Sequence, residues 1–253
     1  MTINARNRII LLLLISNIVA VALLAYWISS VRVSLDLVAT TNIMGSMLLA
    51  LAIFLSIYLL FPKTNAPELM VLLSYALGLA LQGMRLLLFF PLLLSEQSLQ
   101  IFGLSLAIFG YFLALSSLLF MSLVELGAIK IHIDAFLLYY AMILYIFILH
   151  QPIQTLASLE SYLLPVIDPY ALTLLRTVLS GLTGFVLLLL LWSKDDAQKP
   201  YFAATIILLI LGLRTTWLTP TLIGSMVGFL LQALGLSLLF ILIRRRYLWF
   251  RWT

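Results

Sequence analysis

Two arginines stand inside long apolar runs, each two residues after a glycine and six before a proline. They are Gly83-Met84-Arg85 with Pro91, and Gly212-Leu213-Arg214 with Pro220. A third, Arg176, lies in another apolar run. A guanidinium in hydrocarbon is costly and is usually kept for a reason. It is permanently charged and presents a fork of N–H donors that matches a carboxylate or a phosphate. The acids Asp36, Glu96, Glu160 and Asp168 all fall between the apolar runs. Arginine without an acid at its own depth points to anion recognition: a phosphate, a carboxylate or a lipid headgroup.

The elements that position these groups are long apolar helices. Of 253 residues, 64% are hydrophobic and 9% charged, and the mean hydropathy is +1.21. Soluble domains carry about 25% charged residues, so the expectation is an all-α integral membrane protein. The apolar runs are too long, and alternate too little, for the strands of a β-barrel. Eight transmembrane helices are expected over residues 9–28, 43–61, 68–90, 101–127, 135–149, 170–192, 201–217 and 221–243. Leu156, Leu159 and Leu163, between Pro152 and Pro165, predict a short interfacial helix in the longest loop. The 253 residues form one polytopic domain, because no polar stretch is long enough for a separate core.

Charge orients the bundle. With eight spans, one side receives Arg6, Arg8, Lys63, Lys130, Lys194, Lys199, Arg244, Arg245, Arg246 and Arg251, and the opposite loops keep only Arg32. That asymmetry places both termini in the cytoplasm, with a bacterial inner membrane as the default site of insertion. In the tail RRRYLWFRWT, Arg244, Arg245, Arg246, Trp249, Arg251 and Trp252 read as an anchor on anionic lipid. A stop signal for insertion is the plainer reading of the same residues.

The chain also carries signs of a parallel 4+4 internal repeat, residues 1–127 and 128–253. The turn FPKTNAP at 61–67 resembles WSKDDAQKP at 192–200, and each precedes a helix with the G-x-R-x5-P pattern. Two halves of four spans each share one orientation, related by an axis along the membrane normal.

Depth and face define a candidate site. At ~1.5 Å per residue, Arg85 falls ~9 Å, Arg176 ~8 Å and Arg214 ~5–8 Å to the outer side of the midplane. Ser74, Gly78, Gln82 and Arg85 share one stripe of the third helix, and Thr173, Arg176, Ser180 and Gly184 share one of the sixth. Gly224, Gly228, Gln232 and Gly235 line the eighth, and Gly103, Ala107, Gly110, Ala114 and Ser117 the fourth. Asn17 sits near mid-depth in the first. Arg214 shares a face with Ala203, Ile207 and Ile210, which suits lipid as well as the bundle. The candidate ligand-binding residues are therefore Arg85, Arg176, Arg214, Gln82, Gln232 and Asn17. The competing reading is that the arginines snorkel to the interface or pair with loop acids, and that the amides are interhelical glue.

Other chemistries find no support. There are no cysteines, which removes disulfides and thiolate chemistry. His132 and His150 fall on opposite sides, so they share no metal or haem. The lysines are all in cytoplasmic loops, leaving no partner for a retinal Schiff base. Glu125 is read as facing inner headgroups or Lys130. No cofactor, metal or nucleic-acid partner is expected, and an enzyme is the less favoured class. The leading expectation is a non-enzymatic membrane protein that binds, and in a carrier reading translocates, an anionic or lipid-like ligand from the outer side. The alternative is a sensory or assembly module that docks a cytoplasmic partner through its basic tail.

Overall fold

The computed structural model describes residues 3–30, 37–62, 64, 66–85, 97–128, 133–151, 170–193, 198–219 and 221–249. The described residues form eight helices: α1 (Ile3–Ser30), α2 (Leu37–Leu60), α3 (Pro67–Gln82), α4 (Gln97–Leu126), α5 (Ile133–Leu149), α6 (Tyr170–Trp192), α7 (Lys199–Leu218) and α8 (Leu222–Trp249). Seven are long and apolar enough to cross a membrane. The exception is α5, apolar after Asp134 in its first turn but only 17 residues long, where a span needs about 20. The interfacial helix expected around Leu159 lies outside the described residues.

Helix α4 is the axis of the bundle. It is buried along almost its whole apolar length and packs against α3, α5, α6 and α7. Small residues make this possible. A Cβ on Gly78 would stand 2.6 Å from the Gly110 carbonyl oxygen, and one on Gly110 would stand 2.5 Å from that of Gly78. The second half repeats the device. A Cβ on Gly212 would stand 2.7 Å from the Gly228 carbonyl oxygen. With no solvent to drive helices together in lipid, such close backbone approach supplies the packing energy. The small-residue stripes on α3, α4 and α8 thus lie in helix contacts as expected. The stripe on α6 does so only in part: Arg176 and Ser180 are half-buried, but nothing lies within 4 Å of a Cβ built on Gly184.

The helix ends explain where the charges sit. Helix α4 stops at Gly127, whose φ of 80° is the left-handed conformation that glycine tolerates. Ala128 N–H donates to Leu123 O and Gly127 N–H to Val124 O, a Schellman closure that leaves Glu125 in the last turn. Helix α8 does not stop at residue 243. It runs on through Arg244–Arg246, a favourable place for cations beside its C-terminal carbonyls.

At one end of the bundle Arg6, almost completely buried, donates to the carbonyls of Phe61, Pro62 and Thr64. Asn7 donates to Pro62 O as well, at 2.9 Å. These bonds satisfy carbonyls just past the end of α2, which has no intrahelical partners left to offer them. Arg6 was expected only as a topology signal; here it pins α1 to the α2–α3 turn.

Candidate anion-binding site

Helix α3 gives way at Gly83 to a single 3-10 turn ending at Arg85. Residues three apart eclipse one another in such a turn, so the spacing from Gln82 to Arg85 sets the two side chains over one face. A Cβ on Gly83 would come within 2.7 Å of the Met47 side chain on α2, so any larger residue there would have to displace Met47.

Arg85 is buried, with 7% of its surface exposed. Its guanidinium carbon lies 3.4 Å from the centroid of the Trp217 ring. Trp217, buried on α7, also stacks on Tyr111 of α4, with centroids 4.5 Å apart and planes 24° from parallel. The aromatic face takes up one side of the guanidinium and leaves its edge donors to other partners. One Arg85 nitrogen, Nη2, and the Gln82 nitrogen, Nε2, are buried with no hydrogen-bond partner. Leaving a buried cation uncompensated costs several kcal/mol. These two N–H donor groups come from residues three apart in the chain, and acceptors placed there would satisfy them.

Behind Trp217 a second polar chain is complete. Tyr75 Oη donates to Gln232 Oε1 at 2.9 Å, and Gln232 Nε2 donates to Thr216 Oγ1 at 3.1 Å. Gln232 is wholly buried and both ends of its amide are used. These bonds let Gln232 tie α3, α8 and α7 together. Thr216, beside Trp217, is the residue it holds.

The remaining predicted residues divide. Asn17 is buried on α1 and donates to Met47 O at 3.1 Å, so it is tied to the α2 residue that covers Gly83. Arg176 is half-buried on α6. It shares the stripe of Leu172, Leu179 and Thr183, which is that helix's buried face. Arg214 is exposed, with Ile207 and Leu211 on the same outward side of α7. The single layer of three arginines therefore resolves into one buried, one half-buried and one outward-facing residue.

The basic tail is also redistributed. Arg244 and Arg245 are exposed, but Arg246 turns back onto the bundle. It makes a bidentate pair with Glu125, at 2.7 and 2.6 Å, and reaches Glu68 of α3 at 3.5 Å. Tyr247 donates to Glu68 at 2.9 Å. Glu125 thus faces Arg246, where headgroups or Lys130 had been expected, because α8 continues as a helix past residue 243. The side chains of Trp249, Arg251 and Trp252 lie outside the described residues.

Trp217 and Tyr111 were not foreseen. Aromatic residues near span ends read first as an interfacial belt. The one available signal was that Trp217 follows Arg214 by three residues, inside the same G-x-R-x5-P figure.

No family model matches the chain, and no curated protein or solved structure is significantly similar to it.

Proposed function

We propose that this chain is an eight-span membrane protein that binds an anionic or lipid-like ligand from the outer side, with Arg85 as the charge that holds it. The observation that carries the reading is the buried guanidinium of Arg85, stacked on Trp217 and left with a partnerless nitrogen. Gln82 supplies the second donor group. Arg176, on the inward face of α6, adds positive field. Arg214 belongs with the lipid-facing residues, and Gln232 and Asn17 hold helices in place.

The eight-span topology is supported by where the chain ends meet. Arg6 of α1 and Tyr247 of α8 both contact residues flanking the same α2–α3 turn, namely Phe61 and Glu68. Chain ends at one end of a bundle suit an even number of crossings, which supports reading the short α5 as the eighth span. Contacts between the halves also suit a 4+4 repeat: α2 packs on α8, and its counterpart α6 packs on α4. Counted from the prolines that open α3 and α7, Gly78 and Gly212 fall eleven and twelve residues in. They align within one residue, and they make the same kind of close contact. In that register the two G-x-R figures are a turn apart, so the repeat rests on the glycine contacts and not on the arginines. Arg244 and Arg245 then lie at the cytoplasmic surface, where anionic lipid meets them.

Native mass spectrometry of the purified protein, beside Arg85→Gln and Arg214→Gln, tests the reading. A bound anion retained by the wild type and by Arg214→Gln but lost from Arg85→Gln is the expected result. Identical spectra for all three would overturn it.

A further inference from the structure

The donor inventory at Arg85 narrows the class of ligand, on the reading that this is the binding site. The unused groups are Arg85 Nη2 and Gln82 Nε2. Both are nitrogens that carry two hydrogens and accept nothing. These nitrogens therefore ask for hydrogen-bond acceptors and offer none in return. A carboxylate or a phosphodiester brings two acceptor oxygens on one charged group, one for each nitrogen.

The surroundings add a second restriction. Trp217 and Tyr111, 3% and 1% exposed, form the wall beside the guanidinium. An ammonium on the ligand would meet the Arg85 charge, while the Trp217 face that would attract it is already taken by the guanidinium. Among the described residues, the carboxylates are Glu68 and Glu125, at the far end of α3 and α4 and committed to Arg246 and Tyr247, and Asp134 in the first turn of α5. An ammonium brought to Arg85 would lose its water and find a like charge. An apolar stem would lose nothing there.

We infer that the Arg85–Gln82 site selects an oxyanion that carries one net negative charge and no ammonium, attached to an apolar or uncharged body. Two sources share this chemistry. One is an anionic phospholipid whose headgroup is uncharged beyond its phosphodiester, such as phosphatidylglycerol. The other is a water-soluble organic carboxylate or phosphate. Zwitterionic lipids and amino acids are disfavoured by the same argument.

The test uses the full chain in nanodiscs of phosphatidylcholine alone, or with an equal fraction of phosphatidylglycerol or phosphatidylserine. The last two carry the same net charge, so surface potential affects them alike. A further arm adds benzoate or inorganic phosphate to the phosphatidylcholine discs. The reporter is the emission of Trp217 in a variant with Trp27, Trp192, Trp249 and Trp252 changed to Phe. Lipid retention by the unmodified protein in native mass spectrometry is the second readout, and stands if that variant fails to fold. Phosphatidylglycerol should shift the emission and be retained, with phosphatidylserine about tenfold weaker, as expected for one unpartnered ammonium. A response to a soluble anion but not to phosphatidylglycerol would keep the oxyanion class and assign the other source. Equal responses to the two anionic lipids would overturn the selectivity while leaving anion binding intact. No response in any arm, with unchanged spectra for Arg85→Gln, would overturn the binding reading itself.

Discussion

The guanidinium of Arg85 lies over the Trp217 ring, 3.4 Å from ring centroid to Cζ, joining the end of α3 to the end of α7. The contact answers how an arginine can sit among apolar helices. Its face is covered by a π-surface that attracts cations, and its edge keeps hydrogen-bonding capacity. Trp217→Ala should therefore remove both packing and the cation–π contact. The expected loss is about 3 kcal/mol in detergent unfolding, with anion binding reduced in parallel. Trp217→Phe keeps a ring face and should retain most of both. Equal losses from the two variants would show that the face is not what matters.

Arg246 and Glu125 make the complementary prediction at the other end. Glu125 is buried, so Arg246→Gln leaves a carboxylate without its bidentate partner and should cost roughly 3 kcal/mol. Adding Glu125→Gln removes the orphaned charge, and the double variant should recover at least half of that loss. Arg246→Lys should recover less than wild-type stability, because an ammonium cannot reproduce the fork. Additive losses in this cycle would mean that the pair is not coupled.

Gln232 separates a tie from a binder. Gln232→Met keeps the volume but breaks the bonds to Tyr75 and Thr216. It should lower the unfolding free energy by about 1–2 kcal/mol while anion binding persists. Gln82→Met should do the reverse, weakening binding with little effect on stability. Thermal unfolding and lipid retention, measured on both variants, would expose an exchange of these roles.

Gly110 sets the spacing of α3 and α4. Gly110→Ala forces a methyl group against the Gly78 carbonyl and should cost about 1–3 kcal/mol. Gly184→Ala, on an open face of α6, should be neutral or stabilising. Comparable losses at both positions would contradict the packing described.

Much of this arrangement is legible in the residues. Apolar length alone marks the helices, because hydrocarbon satisfies no backbone polar group and the chain must do so internally. Prolines 67 and 200 mark the starts of α3 and α7, and small-residue spacing marks the close faces of α3, α4 and α8. Arg85 and Gln82 stand out because a buried charge and an amide share one stripe. What the sequence does not carry is side-chain commitment. Gln232 and Gln82 are both amides on small-residue faces, yet only the placement of Tyr75 and Thr216 uses up the first. Arg246 looks like its neighbours Arg244 and Arg245 until α8 is seen to continue and point one of three toward Glu125. Arg214 copies the motif of Arg85 but faces outward, since rotation about a helix axis depends on packing and not on the local pattern.

The most direct measurement is an experimental density map of the protein purified with its own lipids, read at Arg85 Nη2 and Gln82 Nε2. The account predicts oxygen atoms of a bound oxyanion about 2.7–3.1 Å from both nitrogens, continuous with an uncharged or apolar body. Density showing that either nitrogen donates to a carboxylate of the chain itself would contradict it, because the charge would then already be matched and Arg85 would be a structural ion pair.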